Sequence, residues 1–157
     1  MHTLILGKER IERTLARLAC EVDERNQGTE GLVLFGVVSK GILVAQALAR
    51  HISEIAGRSV VPVPLDLEDP SQKPEDVTGK VVVIVDDVLY TGRTAHRAVA
   101  AVCEMGSPAR IQLMVLIDRG HREMPLQPDY VGRKLQTKYR ERVDVDAEEG
   151  LSVYLTE

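Results

Sequence analysis

Apolar residues fall along this chain in blocks whose period changes from one element to the next. Ile11, Leu15, Leu18 and Val22 recur at helical spacing, and Asn26-Gln27-Gly28 closes the run, so a first helix is expected there. Leu32 to Val37 forms a short apolar strand. Val38-Ser39-Lys40-Gly41 turns it into a second helix, with Ile42, Ala45, Leu48, Ala49, Ile52 and Ile55 on the buried side and Gly57 at its end. Residues 60–67 alternate like a strand, but Pro62 and Pro64 remove ladder donors and confine the segment to an edge or interrupt it. Residues 68–78, bearing Pro70, Pro74 and mostly acidic or polar side chains, read as a loop. The unbroken β-branched run from Val81 to Val85 fits a central parallel strand covered on both faces, and it stops abruptly at Asp86 and Asp87. A third helix follows from Ala95 to Met105, with Ala98, Val99, Val102 and Cys103 inward and Gly106 and Pro108 ending it. Leu113 to Ile117 is the next buried strand. Arg142–Val145 and Leu151–Leu155, around Glu149-Gly150, form a late hairpin or small flap. Strands alternating with helices specify an α/β sheet with right-handed crossovers.

The chemistry concentrates where the most apolar strand ends. Asp86 and Asp87 lead into Val88-Leu89-Tyr90-Thr91-Gly92-Arg93-Thr94, and a helix opens directly afterwards. Hydroxyls from Thr91 and Thr94, close backbone approach at Gly92 and a helix N-terminus suit a phosphomonoester. Adjacent carboxylates suit the vicinal hydroxyls of a ribose, so the implied ligand is a sugar phosphate. Taken alone, an acid pair after a strand is commonly a solvated turn, and Thr-Gly is only a turn signal. The order strand, acids, hydroxyl-glycine loop, helix is what gives the motif its specificity. Neither Gly-x-x-x-x-Gly-Lys-Ser/Thr nor Gly-x-Gly-x-x-Gly occurs, which excludes the common ATPase and dinucleotide loops.

Residues 86–94, followed by Asp118-Arg119-Gly120-His121-Arg122-Glu123-Met124-Pro125, resemble the phosphoribosyl pyrophosphate (PRPP) motif region of type I phosphoribosyltransferases. They are similar in particular to the PyrR family, bacterial uracil phosphoribosyltransferases that also regulate pyrimidine genes by binding mRNA. Glu24-Arg25-Asn26 and the Val153-Tyr154 ending extend the resemblance over nearly the whole chain.

The resemblance implies a type I phosphoribosyltransferase fold, with a central, mostly parallel sheet flanked by helices and a flexible hood. It also implies an Mg²⁺-dependent conversion of uracil and PRPP to UMP and pyrophosphate. Asp86, Asp87 and Lys40 take catalytic roles, and Val88, Leu89, Tyr90, Thr91, Gly92, Arg93 and Thr94 bind the nucleotide. Ser39, Lys40 and Gly41 form the pyrophosphate loop, where the family commonly ends Thr-Arg-Gly; lysine keeps the charge and loses the bidentate fork. Asp118, Arg119, Gly120 and Val131 lie near the base, with Tyr130-Val131-Gly132 closing the pocket from the other side and His121 a surface residue. The protein supplies no metal ligand, because the magnesium is held mainly by the substrate. Residues 68–78 are far shorter than the family hood, which casts turnover as slow and leaves a UMP- or PRPP-sensing regulator as the alternative. Relatives commonly carry Thr-Arg and His where this chain has Ala16-Arg17 and Cys20. Arg25, Arg122, Arg133 and Lys134 remain as candidate contacts to a pyrimidine-operon leader mRNA. A homodimer or homotetramer is the family expectation.

Composition adds bounds rather than identity. A chain of 157 residues with 44% apolar content supports one domain, read as residues 1–157. Its start lacks a basic n-region and its apolar runs are too short to span a membrane, so a soluble, cytoplasmic protein is expected. Cys20 and Cys103 read as buried free thiols rather than a disulfide or zinc site. The net charge of −4 does not advertise a nucleic-acid binder, yet Arg119, Arg122, Arg133, Lys134, Lys138, Arg140 and Arg142 crowd the last third as a candidate basic face.

Overall fold

The computed structural model describes residues 1–157. In chain order the elements are β1 (His2–Leu6), α1 (Lys8–Asn26), β2 (Leu32–Val37), α2 (Gly41–Ala56), β3 (Val63–Leu65), β4 (Val81–Leu89), α3 (Arg93–Met105), β5 (Arg110–Asp118), β6 (Tyr130–Lys134), β7 (Arg142–Asp146) and β8 (Ser152–Thr156). Five of the strands make a wholly parallel sheet in the order β3-β2-β4-β5-β6.

The β-branched run explains why β4 sits at the centre. Val83 and Val85 pack into a core shared with α1 and α2, while Val82 and Ile84 pack into a second core shared with α3. A strand covered on both faces has no polar side to offer water, and this one has none until its acids. The prolines act as expected: β3 is three residues long and lies at the sheet edge. Because the chain steps from β2 outward to β3 and then returns to β4 on the other side, the direction of winding reverses between β2 and β4. Crevices at the carboxyl ends of strands flanking such a point are where α/β sheets bind ligands.

β4 does not end with its hydrophobic run. Backbone pairing continues through Asp86 with Val115, Val88 with Ile117 and Leu89 with Asp118, so the acids are part of the strand rather than of a turn beyond it. α3 begins at Arg93, two residues before the expected Ala95, with Gly92 as its cap.

The late hairpin is present as β7 and β8, and β1 joins it to make a three-stranded antiparallel sheet in the order β1-β8-β7. Two strands carry little signal of their own. β1 is mostly exposed and pairs with residues at the opposite end of the chain, and β6 is a short edge strand ending in Gly132-Arg133-Lys134.

Both cysteines are exposed, against the expectation of buried thiols. The buried stripe of α3 is Ala95, Ala98 and Val102, and Cys103 lies one position further round the helix. Cys20 is likewise one step past the buried Leu18-Ala19 pair of α1. Ile55, in the last turn of α2, is 42% exposed, past Ile52, the last buried residue of that helix.

Candidate active site

Three loops meet at the carboxyl ends of β2, β4, β5 and β6. The first follows β2. The Val38–Ser39 peptide is cis, Ser39 is exposed, and the Lys40 carbonyl accepts the Leu43 and Val44 N–H groups at 3.1 and 3.2 Å to open α2. Gly41 rests directly on β4: a Cβ there would lie 2.8 Å from the Val85 carbonyl oxygen and 3.0 Å from Asp86 Oδ1. Only glycine lets the candidate pyrophosphate loop approach the acid pair this closely.

The acids fold back on their own strand. Asp87 N–H donates to Asp86 Oδ1 at 2.8 Å, and Val88 N–H donates to Asp87 Oδ1 at 2.8 Å. Burial, and then the neighbouring Asp87 charge, push the Asp86 carboxyl up to about 8, which favours its protonated form over most of the acidic range. In its protonated form Asp86 can donate a hydrogen bond as well as accept one.

The second loop runs from Tyr90 to Thr94. Gly92 caps α3 with a φ of +88°, accepting the His96 N–H at 2.9 Å, and Arg93 N–H donates to Thr91 Oγ1 at 3.3 Å. The loop is braced from outside, since the Thr91 carbonyl accepts the Glu123 and Met124 N–H groups at 2.8 and 3.0 Å. Arg93 turns its guanidinium to Glu123, at 3.2 Å.

The third site element is a cavity of about 200 Å³ lined by Asp118, Arg119, Gly120, Lys134, Leu135 and Gln136. Burial alone raises the Asp118 carboxyl, but hydrogen bonds from Arg122 and the Gly120 N–H, together with the Arg122 and Lys134 charges, outweigh it and hold Asp118 below the usual range. The Arg119 side chain is buried and committed elsewhere: Nε donates to Thr137 Oγ1 at 3.1 Å, Nη2 to the Glu141 carbonyl at 2.7 Å, and the guanidinium lies 4.1 Å from the Tyr90 ring centroid. His121 is half-buried, takes a φ of +67°, bonds the Thr137 carbonyl at 2.7 Å and sits edge-on to Tyr90 and Tyr139, so it is not a plain surface residue. No group of three or more His, Cys, Asp or Glu side chains converges anywhere in the fold.

The fold brings Asp118, Arg119 and Gly120 to this cavity and leaves Val131 out of it. Val131 packs against the α3-side core, and the Tyr130 hydroxyl donates to Gln112 at 2.7 Å inside a buried network with Asn26. Lys134, Leu135 and Gln136 take the place expected for residues 130–132, because β6 carries the chain three residues further before it reaches the sheet's carboxyl edge. Lys134, read as a nucleic-acid contact, faces this cavity. Among the other candidate RNA contacts, Arg25 pairs with Asp129 at 3.1 Å and lies over the Tyr130 ring, Arg133 donates to the Ile5 carbonyl at 3.4 Å, and Arg122 is turned inward.

Residues 68–78 form a short strap, held to the body of the fold at several points. Arg97 of α3 donates to Glu68 at 2.8 Å and to the Leu67 carbonyl at 3.2 Å. Gln72 bonds both Pro64 and Asp66 at 3.0 Å, and Val77 is fully buried. A groove of about 470 Å³ separates part of this segment from α3, and none of residues 86–94, 118–120 or 134–136 lines it.

Residues 3–149 match the phosphoribosyl transferase domain family, and the fold and site together define a protein of that class. The chain is 41% identical over 163 residues to the bifunctional protein PyrR of Bacillus cereus (strain AH820) and equally to that of Bacillus thuringiensis, covering 93% of this chain and 91% of each relative. It belongs to the PyrR family. Among solved structures, the hypoxanthine phosphoribosyltransferase of Trypanosoma cruzi superposes with a TM-score of 0.81 at 19% identity, over 98% of this chain and 95% of that one. A hypoxanthine-guanine phosphoribosyltransferase of Bacillus anthracis gives 0.74 at 20% identity, over 87% and 85%. These two share the fold.

Proposed function

We propose that residues 1–157 act as one uracil phosphoribosyltransferase unit, joining uracil to PRPP to give UMP and pyrophosphate, with a regulatory role in pyrimidine synthesis. The observation that carries the reading is the meeting of three elements at one sheet edge: the loop at 39–41, the acid-to-glycine run at 86–94 and the small cavity between 118–120 and 134–136.

In this reading the Thr91 and Thr94 hydroxyls and the α3 N-terminus hold the 5′-phosphate. Asp86 and Asp87 take the ribose hydroxyls, and Ser39, Lys40 and Gly41 face the diphosphate. Magnesium, when bound with the diphosphate and held mainly by substrate oxygens, neutralises part of its charge. Uracil is read by backbone groups around Arg119 and Gly120, since the Arg119 guanidinium is already engaged. Bond breaking at C1′ leaves an oxocarbenium-like ribose opposite the acid pair, so catalysis rests on positioning and charge and needs no covalent nucleophile.

The direct test is UMP formation from uracil, PRPP and Mg²⁺, with hypoxanthine as the competing base. UMP is the expected product, and formation of IMP alone would sink the assignment. The second reading, a nucleotide sensor with little turnover, draws on the strap. The segment that would close over PRPP is tied to β3 and α3, and the relatives align over 163 residues, more than this chain's 157, so part of their sequence has no counterpart here. Ordinary UMP affinity with slow turnover is therefore expected, and grafting a longer family hood between Leu67 and Lys80 should raise the rate. A wild-type rate equal to that of a hooded relative would remove the argument.

For RNA, two of the four candidate contacts are already engaged, Arg25 with Asp129 and Arg122 with Asp118, and the net charge of −4 opposes long-range attraction. Binding to a pyrimidine-operon leader is expected to be weak and strongly salt-dependent in a filter titration; tight, sequence-selective binding at physiological salt would contradict it. No helix is long and apolar enough to cross a membrane. The assembly we propose is a cytoplasmic homodimer or homotetramer.

A further inference from the structure

We infer that Arg122 is a positioning residue that locks the phosphate loop to the base pocket, so that the two halves of the site are held in register by one guanidinium. This rests on the functional reading above and adds a residue that it does not use. Nη2 of Arg122 donates to Asp118 Oδ2 at 2.7 Å, Nη1 to the Tyr90 carbonyl at 3.1 Å, and Nε to the Leu126 carbonyl at 3.0 Å.

Each partner belongs to a different part of the site. Asp118 ends β5, and its Oδ1 accepts the Gly120 N–H at 3.1 Å, which sets the backbone wall of the 200 Å³ cavity. Tyr90 begins the phosphate loop. Leu126 closes the loop whose Glu123 and Met124 N–H groups brace Thr91. The Arg122 side chain also runs beneath Gly92, with Cδ 3.6 Å from where a Cβ would stand.

The side chains of Arg122 and Asp118 are only 17% and 9% exposed, so the pair is largely shielded from solvent screening. The fork geometry matters as much as the charge. A guanidinium spans a carboxylate and two carbonyls at once, whereas an ammonium at the same position follows the carboxylate and releases the loops.

Two variants separate these contributions. Arg122→Gln removes the charge and the fork; it should raise KM for both uracil and PRPP by about tenfold, the size expected for losing a charge-assisted hydrogen bond, with kcat moving less than either. Arg122→Lys keeps a cation on Asp118 and loses the Tyr90 carbonyl; its KM for PRPP should rise while that for uracil stays near wild type. In the ligand-free protein, amide hydrogen exchange should quicken at Tyr90–Arg93 and Arg119–Glu123 in Arg122→Gln and stay unchanged in α1 and α2, a pattern that general destabilisation does not produce.

A folded Arg122→Gln with unchanged exchange in these loops overturns the inference, as does a rise in KM for one substrate alone. Should Arg122→Gln fail to fold, equal KM shifts for both substrates in Arg122→Lys overturn it. Wild-type protein that makes no UMP counts against the functional reading, and the exchange pattern then still decides the role of Arg122.

Discussion

Gly92→Val is expected to fold and to lose about a hundredfold in UMP affinity, measured by calorimetry. The backbone of Gly92 sits at φ +88°, a region L side chains rarely adopt, and it caps α3 at the point where the 5′-phosphate is proposed to rest. A Cβ there would stand 3.3 Å from Met124 Cβ and 3.6 Å from both Arg122 Cδ and Leu126 Cδ1, and a branched side chain adds two methyls to that crowding. Relief comes only from moving the cap or the 122–126 brace, and either shift withdraws backbone N–H donors from the phosphate. Losing two charge-assisted hydrogen bonds accounts for an effect of about that size. Gly92→Ala should show the same direction with a smaller loss. Wild-type affinity in a folded Gly92→Val would mean that the phosphate binds elsewhere.

The acid pair should respond to pH and to substitution in two distinguishable ways. In the unfolded chain the Asp86 carboxyl ionises near 3.8, whereas in the folded protein burial first, and the Asp87 charge second, keep it protonated up to about 8. Between those values the folded state binds the extra proton, so this group's contribution to stability is fully present below pH 4 and is lost as pH rises to about 8. Asp86→Asn is neutral throughout. The gap in Tm between variant and wild type should therefore be small below pH 4, widen with pH, and level off above about 8. A gap independent of pH would show that Asp86 is ionised in the folded protein. Asp87→Asn acts on the reaction instead: it removes a negative charge opposite a cationic transition state while keeping shape, so kcat should fall about a hundredfold with KM for PRPP little changed. By removing the second cause of the Asp86 shift, it should also bring the upper end of that Tm dependence to lower pH.

These two experiments fall on residues whose local sequence already marks them, whereas the Arg122 variants fall on one whose local sequence misleads. The difference lies in how far apart the informative residues are. Gly92 and the acid pair belong to one uninterrupted stretch, where strand period, acids, hydroxyls and glycine are all set by neighbours in sequence. Arg122 reads as a surface cation because its local sequence, His-Arg-Glu, is polar; its partners at Tyr90 and Asp118 lie on two different loops and strands of the fold.

The sequence by itself determined the helices α1 to α3, the strands β2, β4 and β5, the edge position of β3 and the motif at 86–94. Each is specified by a period of apolar residues or by a turn residue acting within a few positions. It could not determine β1 or β6, whose exposed or cationic residues become strands only by pairing with β8 and β5. Tertiary structure alone decided that residues 134–136 rather than 130–132 wall the cavity, that the 68–78 segment is tied down by Arg97 and Gln72, and that Cys20 and Cys103 face solvent. It also decided the upward shift of the Asp86 carboxyl, because the burial behind it is assembled from α2 and β5, and burial is a sum over neighbours that no local window of sequence contains.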